Sequence, residues 1–123
     1  MSESYQYPDV LELLPLRPVE FLVLLVLADG ERHGYGIVQD IAERTENRVK
    51  LLPGNLYAVL RRLGESGLLE ESAHRPAQDL DDQRRRYYRV TELGERVLAA
   101  DAERMRGLVR QFEASNPVRA DAQ

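Results

Sequence analysis

The chain has 123 residues, 43% of them hydrophobic and 31% charged, with no cysteine and a net charge of −4. That composition is of a globular domain with one core, and it excludes wholesale disorder, a disulfide framework and a thiolate metal site. Residues 1–46 carry three Lys/Arg against nine acids, residues 47–96 ten against eight, and sixteen of the seventeen cations are arginine. Arginine makes bidentate contacts to phosphate and guanine that lysine cannot match, so the acidic total does not exclude nucleic acid.

The start of the chain has no basic n-region or small-residue cleavage site. Its most apolar stretch, residues 19–28, contains Glu20 and is half the roughly 20 residues that a bilayer span needs. A cytoplasmic protein without membrane contact is expected. Residues 1–17 read as an arm with one short helix, started by Asp9 with Glu12 three residues on and ending before Pro15. Pro18 then opens a helix to about Asp29, in which Val19, Leu22, Val23, Val26 and Leu27 follow helical spacing. Phe21, Leu24 and Leu25 make the opposite face apolar too, which implies burial nearly all round. A buried strand is the rival reading, and the leading proline and the length of the run favour the helix.

After the turn Asp29-Gly30-Glu31, a second helix is expected from Gly34 to Glu46 and a third from Pro53, stopped by Gly67. The third helix has the clean stripe Leu56, Val59, Leu60 and Leu63. Two strands, about 68–73 and 84–90, enclose a polar loop with Asp79, Asp81 and Asp82. Thr91 caps a long helix from Glu92 to about Ala114, and the tail from Ser115 frays. The order helix, helix, helix, strand, strand, helix predicts a mainly α fold, a winged helix-turn-helix with a long helix added. The predicted organisation is an arm over 1–17, a winged domain over 18–90, a dimerisation helix over 91–114 and a disordered tail over 115–123.

The stripe of the third helix leaves Asn55, Tyr57, Ala58, Arg61 and Arg62 on its open face, with Tyr57–Arg61 and Ala58–Arg62 as two parallel rows. A helix of this width enters the major groove. Taken from the helix alone, Arg61 and Arg62 are equally compatible with an ordinary solvated surface. The second strand adds Arg84, Arg85, Arg86 and Arg89 interleaved with Tyr87 and Tyr88, enough to neutralise several phosphates. Ion pairing of these arginines with Asp79, Asp81 and Asp82 is the bland alternative, and both arrangements can coexist. On the long helix Leu98, Ala102, Met105, Val109 and Phe112 recur at 4, 3, 4, 3, a seam of two heptads that runs farther than a small winged domain can cover. A partner subunit is its simplest explanation.

Catalysis finds no support. The serines sit in no nucleophile context, and His33 and His74 lie far apart. His33-Gly34-Tyr35-Gly36 lacks the spacing of a phosphate-binding loop and reads as a tight helix start. No enzyme activity, cofactor or metal is expected.

Three segments together resemble the PadR family of bacterial transcriptional regulators: His33-Gly34-Tyr35-Gly36-Ile37; Pro53-Gly54-Asn55-Leu56-Tyr57-Ala58-Val59-Leu60-Arg61-Arg62-Leu63; and Arg85-Arg86-Tyr87-Tyr88-Arg89-Val90-Thr91-Glu92-Leu93-Gly94. The resemblance covers about residues 17–112. It implies a homodimeric repressor on a palindromic operator in double-stranded DNA, with Tyr57 as the DNA-contacting tyrosine and Gly34 and Gly54 as helix-start glycines. It further implies release by a small aromatic or hydrophobic effector. The single helix after the wing places the chain with the short members. Leu52 stands where the family usually has a small polar residue, and Asn55 where threonine is common. A winged-helix module that binds proteins and ignores DNA is the alternative function.

Overall fold

The computed structural model describes residues 10–72 and 86–115. Its centre is α1 (Pro18–Ala28), which touches every other α-helix and the sheet. Pro18 stands at the first helical position, and the carboxylate of Glu20 accepts the backbone N–H of Arg17 at 2.9 Å, one half of a capping box. Val23, Leu24, Val26 and Leu27 are fully enclosed, and Val19, Phe21 and Leu22 pack against the same core. A helix apolar on all sides can only be central, as its composition implied.

A two-residue strand, β1 (Arg32–His33), follows the turn and leads into α2 (Gly34–Arg44). α2 is shorter than expected, because Glu46 and Asn47 take φ values of 53° and 65°. The backbone there folds back, with Asn47 N–H bonded to Ala42 O at 2.7 Å. Thr45 completes the stop: its hydroxyl donates to Ile41 O at 2.8 Å and accepts Val49 N–H at 3.0 Å. α3 (Pro53–Glu65) buries Leu56, Val59, Leu60 and Leu63, the predicted stripe. It ends as Gly67 turns to φ +80° and Leu68 N–H reaches Leu63 O at 2.9 Å.

β2 (Leu69–Glu71) and β3 (Tyr87–Val90) pair antiparallel, Leu69 opposite Val90 and Glu71 opposite Tyr88. β3 also pairs with β1, Arg32 opposite Tyr88 and His33 opposite Tyr87, so the wing root is a three-stranded sheet in the order β1-β3-β2. The third strand was not expected, since Arg32–His33 is too short to show alternation and pairs only because tertiary packing brings it to the edge of β3. The loop between β2 and β3 lies outside the described residues.

α4 (Glu92–Ser115) begins as predicted: the Thr91 hydroxyl accepts Gly94 N–H at 3.0 Å and donates to Gly67 O at 2.6 Å. Gly94 lies so close to Leu68 and the end of β3 that a Cβ would collide with Leu68 O and meet Val90 Cγ2 at 2.7 Å. Only glycine permits that approach. Leu93, Val97 and Asp101 are buried and Leu98 packs on the core, while α4 beyond Ala102 runs past it. The arm contributes the expected short helix, of 3-10 type (Val10–Leu13), packed on α4; Asp9, its predicted cap, lies outside the described residues.

Candidate nucleic-acid interface

With its stripe turned inward, α3 leaves Asn55, Tyr57, Ala58 and Arg61 exposed and Arg62 half-buried. The Tyr57–Arg61 row borders the wing across a cleft of about 280 Å³ lined by Tyr57, Leu60, Arg61, Arg86 and Tyr88. The Ala58–Arg62 row borders the start of α1 across a groove of about 420 Å³, where Asn55, Ala58 and Arg62 face Arg17, Pro18 and Val19. The two rows counted from the sequence therefore address two different flanks, one walled by the sheet and one by α1.

Tyr57 is 45% exposed, yet its ring is not adrift. A Cβ on Gly34 would sit 3.2 Å from its hydroxyl oxygen and 3.3 Å from Leu56 Cδ2, so the buried Gly34 gives Tyr57 its seat at the start of α2. That start is capped by His33, whose Nδ1 accepts Gly36 N–H at 3.1 Å. The acceptor role requires an unprotonated Nδ1. The His33 ring stands edge-on to Tyr87, with centroids 5.5 Å apart, and stacks on exposed Tyr35 at 6.4 Å. His33, Gly34 and Tyr35 thus tie α2 to the wing and seat α3.

Gly54 is different: among the described residues no atom lies within 4 Å of where its Cβ would be. None of the described residues requires glycine there. Beside it Leu52, 68% exposed, occupies the N-cap of α3 and supplies no side-chain cap, the lack expected from its apolar character.

The charges are arranged in a way the sequence did not disclose. Arg62 Nε lies 3.0 Å from Glu20 Oε2, Arg86 Nε 3.4 Å from Glu71 Oε2, and Arg89 Nε 2.8 Å from Glu70 Oε2. Arg61 makes no ion pair among the described residues. Tyr88 of β3 and Arg86 just before it both line the cleft, whereas strand alternation puts Arg89 on the other face beside Tyr87. Burial, and after it the charge of Glu71 and the nearby Tyr57, hold the Tyr88 hydroxyl above the ordinary phenol range. Arg84, Arg85 and the expected acidic partners Asp79, Asp81 and Asp82 lie outside the described residues. The missed residues are Glu20, Glu70 and Glu71, and one had a signal: Glu20 is the single charge in the apolar run of α1.

On α4, Leu98 and Ala102 are half-buried, while Met105, Val109 and Phe112 are exposed together with Leu108. The seam therefore leaves the core after its first two members. Among the described residues no three His, Asp or Glu side chains converge as metal ligands, and no helix is long and apolar enough to cross a membrane.

Comparison with known proteins agrees with this architecture. The transcriptional regulator PadR-like family matches residues 23–100. A transcriptional regulator of Mycobacterium tuberculosis is 31% identical over 93 residues, which are 76% of this chain and 80% of that protein. A PadR-like transcription factor from Bacteroides fragilis has a TM-score of 0.64 at 25% identity, over 78% of this chain and 87% of that one. Bacillus subtilis PadR, solved in complex with operator DNA, shares the fold with a TM-score of 0.57 at 21% identity, over 68% of this chain and 46% of that one. With more than half of its length matched and its winged helix shared, the chain belongs to the PadR-like family, whose members are transcriptional regulators and not enzymes.

Proposed function

We propose that this regulator is a cytoplasmic repressor that binds double-stranded DNA as a homodimer and lets go when a small aromatic or hydrophobic effector binds. The observation that carries the reading is the outward row of α3, Tyr57 and Arg61, set on a helix whose opposite face is locked in the core and flanked by Arg86 across a cleft. A rigid helix with an exposed arginine and asparagine fits the major groove, where arginine pairs with guanine and asparagine with adenine. Arg84, Arg85 and Arg89 belong to the same reading as contacts of the wing to the DNA backbone. The open space at Gly54 fits a close approach of that backbone to the first turn of α3.

For the dimer, the support is the exposed half of α4. Met105, Val109 and Phe112 continue a heptad begun by Leu98 and Ala102, and a second copy of the helix would cover them. Two-fold symmetry then calls for a palindromic operator with half-sites about one DNA turn, roughly 34 Å, apart. For the effector, the support is a cavity of about 410 Å³ between α1 and α4, lined by Leu16, Phe21, Leu22, Asp101, Arg104 and Met105. Its size lies within the roughly 300–1,000 Å³ of small-molecule sites.

The test is fluorescence anisotropy with a duplex taken from immediately upstream of this protein's own gene, at about 50 and 200 mM salt, against unrelated competitor. Preferential, salt-sensitive binding supports the reading. Absence of binding at both salts would move the assignment to a module that binds proteins. A thermal-shift screen of phenolic acids and apolar cations tests the cavity, and a screen without hits counts against the effector.

A further inference from the structure

The open face of α3 is bordered by glutamates. Arg62, on the α1 flank, is held by Glu20 at 3.0 Å, and Arg86, on the wing flank, by Glu71 at 3.4 Å. Between them Arg61 has no such partner among the described residues. The glutamates come from different elements, α1 and β2, and neither pair is a sequence-local neighbour of the i,i+4 kind. Glu20 is also fixed in place, since its other oxygen accepts the backbone N–H of Arg17.

Resting on the DNA-reading role of α3, we propose that Glu20 and Glu71 are specificity-determining residues, occupying Arg62 and Arg86 against the phosphates of arbitrary DNA. The physics is a competition. Non-specific binding comes almost wholly from cations that neutralise phosphates. A guanidinium already facing a carboxylate must exchange that partner for a phosphate, and the carboxylate left beside the DNA is repelled by it. Random sequence offers nothing in return, because its base edges do not match Asn55, Tyr57 and Arg61. A matching site is held by its base contacts and can leave both ion pairs in place, whereas unmatched DNA, held by phosphates alone, depends on breaking them. The glutamates thus weaken binding to unmatched DNA more than binding to a matched site, and so enlarge the ratio between them. An interface bordered by acids also accounts for a DNA reader in a chain of net charge −4.

The isosteric variants Glu20→Gln and Glu71→Gln, singly and together, remove the charge, and the amide oxygen introduced by Glu20→Gln can still accept the Arg17 N–H. Glu103→Gln on α4, which also neutralises an ion-paired glutamate, controls for the change in net charge. Affinity for a random duplex and for a duplex selected from a random pool is measured at about 50 and 200 mM salt, with circular dichroism to confirm folding. The double variant should bind random DNA about tenfold more tightly than the parent, with a salt slope steeper by about 0.9 for each phosphate newly neutralised. Its preference for the selected duplex should shrink, and Glu103→Gln should change little. Random-DNA affinity equal to that of the parent, or a gain matched by Glu103→Gln, overturns the inference while leaving the reading helix intact. Binding that appears only in the neutralised variants supports it. If neither parent nor variants bind any duplex at low salt, the DNA-reading role fails and this inference with it.

Discussion

Tyr57 shows how one side chain serves the fold and the proposed interface together. Its hydroxyl rests against Gly34 while nearly half of its surface stays open beside Arg61. Truncating both side chains should leave folding intact, because neither is in the core. Tyr57→Ala with Arg61→Ala is expected to weaken binding to a selected duplex by at least about tenfold, since a well-placed base contact carries about 1–3 kcal/mol. Full affinity in that double variant would remove α3 from the reading role. Gly94 makes the opposite case, a residue with no surface role and no freedom. A methyl group there meets backbone, so Gly94→Ala should destabilise the fold by about 3 kcal/mol, the upper end for overpacking. Urea unfolding at constant m-value is the measurement.

At the scale of elements, what the sequence disclosed and what it hid divide along physical lines. α1, α3 and α4 were legible because their apolar spacing is long and their stops are local: Pro18 at the start of one, Gly67 after another, Thr91 before the third. The hydroxyl of Thr91 makes the predicted cap bond, so Thr91→Ala should cost about 1 kcal/mol in unfolding experiments. β1 was hidden because two polar residues carry no periodicity and gain their partner only from the tertiary fold. The glutamate partners of Arg62, Arg86 and Arg89 were hidden for the same reason. Candidate interface residues could be counted off α3, but which of them are already ion-paired is a property of its neighbours. The second half of α4 tests the dimer at its own scale. Val109→Glu would bury a charge in the seam, and sedimentation should then report a monomer where the parent sediments as a dimer. A parent that sediments as a monomer at micromolar concentration would dismiss the seam.

The whole molecule is acidic, with its arginines gathered in the central segment. In the proposed reading, a dimer engaging Arg84 and Arg85 of each protomer with the DNA backbone would neutralise about four phosphates, and log K against log salt should then fall with a slope near −3.6. A slope near zero would show that phosphates contribute little to binding.

The root of α4 is fastened to the end of α3. Thr91 bonds Gly67 O and Leu68 O, and Gly94 lies against the same carbonyl. A helix of 24 residues, roughly 36 Å long at 1.5 Å per residue, therefore grows rigidly from the element that carries Tyr57 and Arg61. It is a crank. In a dimer joined through the outer turns of α4, a change of about 10° in the angle between the two arms would shift the two roots relative to one another by about 6 Å over that length. Such a shift is a sizeable fraction of the roughly 34 Å repeat of the double helix, so a ligand wedged between α1 and α4 would need to open the angle only slightly to put the two reading heads out of step.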